Sequence, residues 1–145
     1  MKPIIGGLAL AAVAGALWAR RRYVVVTVEG TSMAPTLSDG DRVLVRRLRI
    51  DRVRAGDVVV LEPPFTPAEL GSQGPDGTRW NIKRAVALPG DPVPPGIGGG
   101  AARVPEGALV VLGDNADSVD SRQRGFFDAD RLLGVALRRL GGSPL

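Results

Sequence analysis

Three short segments of this 145-residue chain carry side chains that could do chemistry. In Gly30-Thr31-Ser32-Met33-Ala34-Pro35-Thr36, Ser32 stands on a turn just after the β-branched run Tyr23 to Val28. A serine held rigidly at a strand's end can act as a nucleophile, with backbone N–H groups nearby to hold an oxyanion. It can equally be an ordinary turn residue, and what separates the two readings is a base. The chain has no His and no Cys, which excludes an imidazole triad, a thiol nucleophile, a disulfide and a zinc site of the usual ligands. Of its 19 basic residues 17 are Arg, which never gives up its proton, leaving Lys2 and Lys83. GC-rich codon usage explains that bias as well as selection does.

Lys83 lies in Asn81-Ile82-Lys83-Arg84-Ala85-Val86-Ala87-Leu88-Pro89-Gly90-Asp91. On a regular strand it shares a face with Ala85 and Ala87. Burial against such a wall would lower its pKa and make it a candidate base. The alternative is an edge lysine with its ammonium in water. The third segment, Gly113-Asp114-Asn115-Ala116-Asp117-Ser118-Val119-Asp120-Ser121-Arg122, packs three Asp, two Ser and one Arg into ten residues. Its acids could solvate a turn, but they lack the spacing and terminal Glu of a calcium loop.

The elements that must position these groups are mostly strands. Runs at Tyr23 to Val28, Arg42 to Val45, Val58 to Leu61, Trp80 to Leu88, Ala108 to Leu112 and Leu132 to Leu140 are separated by turn chemistry, which predicts a mainly β domain. The first of these, continuous and β-branched, reads as buried on both faces. Two Pro/Gly-rich stretches, Pro63 to Thr78 and Pro92 to Pro105, read as surface loops. The only long helix expected is N-terminal.

That helix comprises 17 uncharged, mostly apolar positions from Pro3 to Ala19, flanked by Lys2 and Arg20-Arg21-Arg22. It would rise about 26 Å, the short end of what crosses a bilayer core of roughly 30 Å, with Lys2 and Trp18 reaching the interfaces. Ala12-Val13-Ala14 and Ala14-Gly15-Ala16 also offer small-x-small sites for removal as a signal peptide. From Tyr23 onward basic and acidic residues balance at 15 each, so the net charge of +4 belongs to the N-terminus. A basic face for nucleic acid is therefore not expected on the folded domain.

Together these segments resemble the type I signal peptidases, membrane-bound proteases of the serine/lysine type. The resemblance rests on Ser32-Met33-Ala34-Pro35-Thr36, Gly40-Asp41-Arg42-Val43-Leu44-Val45, Lys83 to Asp91, and Gly113-Asp114-Asn115 followed by Ser118-Val119-Asp120-Ser121-Arg122. All occur in the family's order, from the anchor to about Gly125. The resemblance implies a compact antiparallel β-barrel-like catalytic core over residues 23–145 behind a single transmembrane helix at 1–22. Only 21 residues separate Asp91 from Gly113, so no large second β domain is expected.

By the same resemblance Ser32 is the nucleophile, Lys83 the general base, and Ser118 the group that orients the lysine amine. Met33 would line the substrate site. Arg84 with Asp114, and Asp120 with Arg122, would be bracing ion pairs. Gly30 stands where some members carry an oxyanion-binding serine, so a backbone group or Thr31 must supply that donor. Between Asn115 and Ser118 the chain is one residue shorter than the commonest pattern.

The implied partners are precursor proteins bound as extended strands and cut after small residues, and the lipid bilayer, with no metal, cofactor or nucleic acid. The family places its catalytic domain outside the cytoplasm. Arg20 to Arg22 argue the reverse by the positive-inside rule, which would suit a protease dedicated to one precursor, as in nickel-superoxide-dismutase maturation. A self-cleaving SOS-type repressor and a non-catalytic membrane-anchored β module are the remaining readings.

Overall fold

The computed structural model describes residues 2–62, 80–142, 144 and 145. The loop expected at Pro63 to Thr78 lies outside the described residues. A helix α1 (Lys2–Arg22) leads directly into seven strands: β1 (Tyr23–Thr27), β2 (Arg42–Arg47), β3 (Val58–Leu61), β4 (Asn81–Ala87), β5 (Ala108–Leu112), β6 (Phe127–Asp128) and β7 (Leu132–Arg139). A one-turn helix α2 (Ser121–Arg124) joins β5 to β6.

The strands form one antiparallel sheet in the order β1-β2-β7-β3-β4-β5-β6. The chain order explains the centre. β3, whose four residues are all apolar and all buried, sits between β7 and β4. Val58 and Val60 enter one core cluster with Val26, Val43, Val45, Ile82 and Ala136. Val59 and Leu61 enter a second with Ala85, Leu109, Val111, Phe127 and Val135. Alternation thus sends successive β3 residues into two cores. Register shifts at Leu44/Val45, Val60/Leu61 and Ala85/Ala87 add local twist.

Two expectations need correction. Among the described residues the sheet is not closed into a barrel: β1 and β6 are its opposite edges. β1 is not buried on both faces, because an edge position leaves Val25 exposed and only Val26 fully buried. The expected N-terminal helix is present as α1, but among the described residues no helix is long and apolar enough to cross a membrane. Nine of the fourteen residues from Gly6 to Ala19 are Ala or Gly, which keeps its hydropathy low.

The loop from Pro92 to Pro105 is better packed than its composition suggests. It turns back on itself through a Pro92–Arg103 bridge and buries Ile97 and Val104 in a third cluster with Ala87, Ala108 and Val110. The short strand β6 was not visible in the sequence, since two residues carry no alternation.

Candidate active site

β4 places Lys83 opposite Val59 of β3, on the face that buries Ala85. Its side chain is only 4% exposed. The amine donates to Ser118 Oγ at 3.0 Å. Ser118 is itself buried, on the segment that leaves β5. Burial lowers the Lys83 pKa; the Asp120 charge opposes that shift, and Arg122 and Arg124 add to it. A lysine so placed gives up its proton more readily than one in water.

Ser32 stands half-buried on the turn after β1. That turn is closed by Ala34 N donating to Thr31 O at 3.0 Å and Leu37 N donating to Met33 O at 2.9 Å, with a cis peptide between Ala34 and Pro35. Gly30 takes a φ of 81°, a conformation open to glycine and poor for other residues. Its N–H is spent on Asp39 Oδ1 at 2.7 Å. Thr31 is exposed, and its carbonyl accepts from Asn115 Nδ2 at 3.0 Å. Met33 is 1% exposed and packs in the first core cluster beside Val26 and Leu37.

Two residues without an expected role bring the serine turn to the lysine. Asn115 grips that turn twice, with its side chain on Thr31 O and its backbone N–H on Ser32 O at 3.0 Å. Gly113 lies where the two halves meet. A Cβ added there would come within 2.5 Å of Ser32 O and would also overlap Ser118 Oγ. Only glycine fits. The sequence signal for both is the dense Gly113-Asp114-Asn115 run.

The two ion pairs are both bidentate. Arg84 Nε and Nη2 donate to Asp114 Oδ1 and Oδ2 at 2.8 and 2.7 Å, and Arg84 Nη1 donates to Gly56 O at 2.8 Å. Thr36 Oγ1 also donates to Asp114 Oδ2. The Arg84 guanidinium holds the Asp114 carboxyl below the usual carboxylate range against the opposing effect of burial. Arg122 Nε and Nη2 donate to Asp120 Oδ1 and Oδ2 at 2.9 and 2.7 Å. Asp120 also accepts from the N–H groups of Gly113 and Arg122 at 2.7 and 3.1 Å, capping α2, while Gln123 Oε1 accepts from Asp120 N. Burial alone would raise the Asp120 carboxyl, but Arg122 and these N–H groups outweigh it and hold it low. Buried Ser121 adds a tie by accepting from Val111 N.

The arrangement offers a turn serine, a desolvated amine hydrogen-bonded to a second serine, and two carboxylates neutralised by arginine. Comparison with known proteins gives the family. The chain matches the family described as signal peptidase, peptidase S26, over residues 3–95 and 96–140. It is 34% identical to the probable signal peptidase I-1 of Synechocystis sp. over 77% of this chain and 68% of that protein. It is 30% identical to signal peptidase I of Bacillus licheniformis over 75% of this chain and 72% of that protein. A match of that extent to the family, with two such relatives, shows that the chain belongs to the signal peptidase, peptidase S26 family and is a peptidase of that family.

Proposed function

We propose that this protein is a serine endopeptidase that cleaves signal peptides or leader segments from precursor proteins after small residues, with Ser32 as nucleophile and Lys83 as general base. The observation that carries this reading is the buried Lys83 amine, lowered in pKa and hydrogen-bonded to Ser118. Ser32 Oγ attacks the scissile carbonyl, its proton passes to Lys83 Nζ, and the oxyanion rests on the Ser32 N–H and a second donor. The Gly30 N–H is engaged with Asp39, so the Thr31 hydroxyl is the better candidate for that donor. Collapse breaks the C–N bond as Lys83 returns the proton to the leaving amine; a water, deprotonated by Lys83, then attacks the acyl carbonyl, and the C–Oγ bond breaks as Lys83 returns that proton to Ser32. Ser118 holds the amine in line, and Met33 lines the substrate site beside Ser32.

The edge strand β1 leading to Ser32 suits a substrate added as an extended strand. We place the chain on the membrane through α1, because Pro3-Ile4-Ile5 extends the uncharged run to 17 residues between Lys2 and three arginines. The family's orientation puts the catalytic domain outside the cytoplasm. The arginine run favours one second reading, a cytoplasmic maturation protease for a single precursor.

The test is cleavage of a precursor by Ser32→Ala and Lys83→Arg. Each is expected to lose at least ~1000-fold in kcat/KM, since Arg keeps the charge but cannot accept a proton. Retention of a tenth of the activity by Lys83→Arg removes Lys83 as the base. The wild-type rate should rise along an acid limb placed below an ordinary lysine's, because only the neutral amine is a base and burial lowers its pKa. Sequencing new N-termini in cells with and without Ser32 separates the general peptidase from the single-precursor enzyme.

A further inference from the structure

The proposed chemistry leaves unused the junction where α1 meets the sheet. α1 ends in Arg20, Arg21 and Arg22, all exposed, and the chain enters β1 at the next residue. The antiparallel register sets Tyr23 opposite Arg46. The exposed residues Arg46 and Arg47 at the end of β2 are thus brought beside the end of α1, which touches both β1 and β2, and exposed Arg49 follows two residues beyond the strand. Two arginine groups separated by more than twenty residues in sequence thereby meet at the helix exit. Arg49 lies 4.0 Å from Asp51, both side chains largely in water, and Arg47 and Arg49 share a groove with Glu62 and Asp130.

This collar of arginines holds the charge excess of the whole molecule. Without these six arginines the chain has 13 basic and 15 acidic residues. Immediately N-terminal to the collar the surface turns apolar: Leu17 and Trp18 are more than half exposed, and Arg22 lies over the Trp18 ring, 5.5 Å from its centre. A cationic ring, an aromatic belt and then an apolar helix follow the order of a bilayer leaflet read from its surface inward. Nucleic acid would meet the cations but leave Leu17, Trp18, Val13 and Leu10 in water. The active site lies elsewhere: β1 runs about 17 Å from the collar before the Ser32 turn begins.

We infer that Arg20, Arg21, Arg22, Arg46, Arg47 and Arg49 form a binding collar for the phosphates of anionic phospholipids, which seats the sheet on the membrane surface. It rests on the proposed membrane placement of α1 and adds a lipid preference supplied by the folded domain. Polybasic segments bind acidic leaflets by this electrostatic attraction, and salt weakens it.

The experiment is co-flotation of the full-length protein with phosphatidylcholine vesicles and with vesicles containing 30% phosphatidylglycerol, at low and high salt (about 0.1 M and about 1 M NaCl). Partitioning to the anionic vesicles is expected to be at least ~10-fold stronger at low salt and to fall toward the neutral value at high salt. The variant Arg46→Glu/Arg47→Glu leaves α1 unchanged and should lose that preference while still floating with neutral vesicles. Circular dichroism and cleavage of a soluble peptide report that this variant remains folded. Equal flotation with both vesicle types places α1 in the membrane but overturns the collar. An unchanged lipid preference in the variant overturns it too, as does tighter binding of a fluorescent single-stranded oligonucleotide than of anionic vesicles. Flotation with neither vesicle overturns the membrane placement itself.

Discussion

Asp114–Arg84 and Asp120–Arg122 are chemically the same pair: a carboxylate gripped by Nε and Nη2 of one arginine, with no contact longer than 2.9 Å. They differ in depth and in what else the carboxylate holds. The Asp120 side chain is 0% exposed and that of Asp114 is 17% exposed. Asp120 spends its remaining capacity on the N–H groups of Gly113 and Arg122 and lies close enough to Lys83 to affect its titration. Asp114 spends its own on Thr36, four residues beyond Ser32, while its arginine reaches Gly56 before β3. One clamp lies beside Lys83 and the other is tied to the Ser32 turn. Arginine neutralises the acid in both, and the additional hydrogen bonds distinguish them.

Removing the deeper clamp should have the larger effect. Asp120→Ala deletes the ion pair, the α2 cap and the acceptor for Gly113 N, and the last two leave donors poorly placed to find water. The expected loss is about 3 kcal/mol, read by urea denaturation, the low end for a broken buried pair because Arg122 can turn outward. Activity should fall further than stability explains, since Gly113 and Ser118 lose their anchor. A loss below about 1 kcal/mol would mean that depth does not separate the two clamps.

Asp114→Ala should cost less, roughly 1 to 2 kcal/mol, because Arg84 is nearer to water and keeps Gly56 O as a partner. The two pairs share a pH signature. Each carboxyl has a folded pKa below its ordinary value, so its contribution is complete above that value and is lost as pH falls through the folded one. Wild-type stability should therefore fall on acidification below the usual carboxylate range. Each Asp→Ala variant should show a shallower fall, measurable as melting temperature against pH. Equal slopes in wild type and both variants would remove the clamps from the acid response.

How far this was legible in sequence follows from the range of the interactions. The strands at Val58 to Leu61 and Ala108 to Leu112 could be bounded to the residue because short apolar runs end abruptly at turn residues. The depth of β1 could not, because whether a β-branched run lies at an edge depends on strand order, which no local pattern encodes. Ser32 and Lys83 were legible as chemical types. Gly113 was not, because its requirement comes from Ser32 and Ser118, 81 residues before it and five after it, meeting at its Cα. The arginine collar was hidden for the same reason. Charge counted along the chain assigned the excess to the N-terminus, and only the Tyr23–Arg46 register joins the two groups.

The smallest expected effect gives the finest test of the division between the clamps. Thr36→Val keeps the β-branched shape and removes one hydrogen bond to Asp114, leaving both bonds from Arg84 in place. The carboxylate keeps its charged partner, so the stability cost should be about 1 kcal/mol or less. If the Asp114 clamp serves the nucleophile's turn, this change should loosen Ser32 and lower kcat by a few fold, with the acid limb of the pH–rate profile unmoved. In the proposed mechanism that limb belongs to Lys83, whose titration responds to burial and to the charges of Asp120, Arg122 and Arg124. A shifted acid limb in Thr36→Val would show that the two clamps act on one another through Asn115 and Gly113, and that the base and the nucleophile's turn are not independently supported.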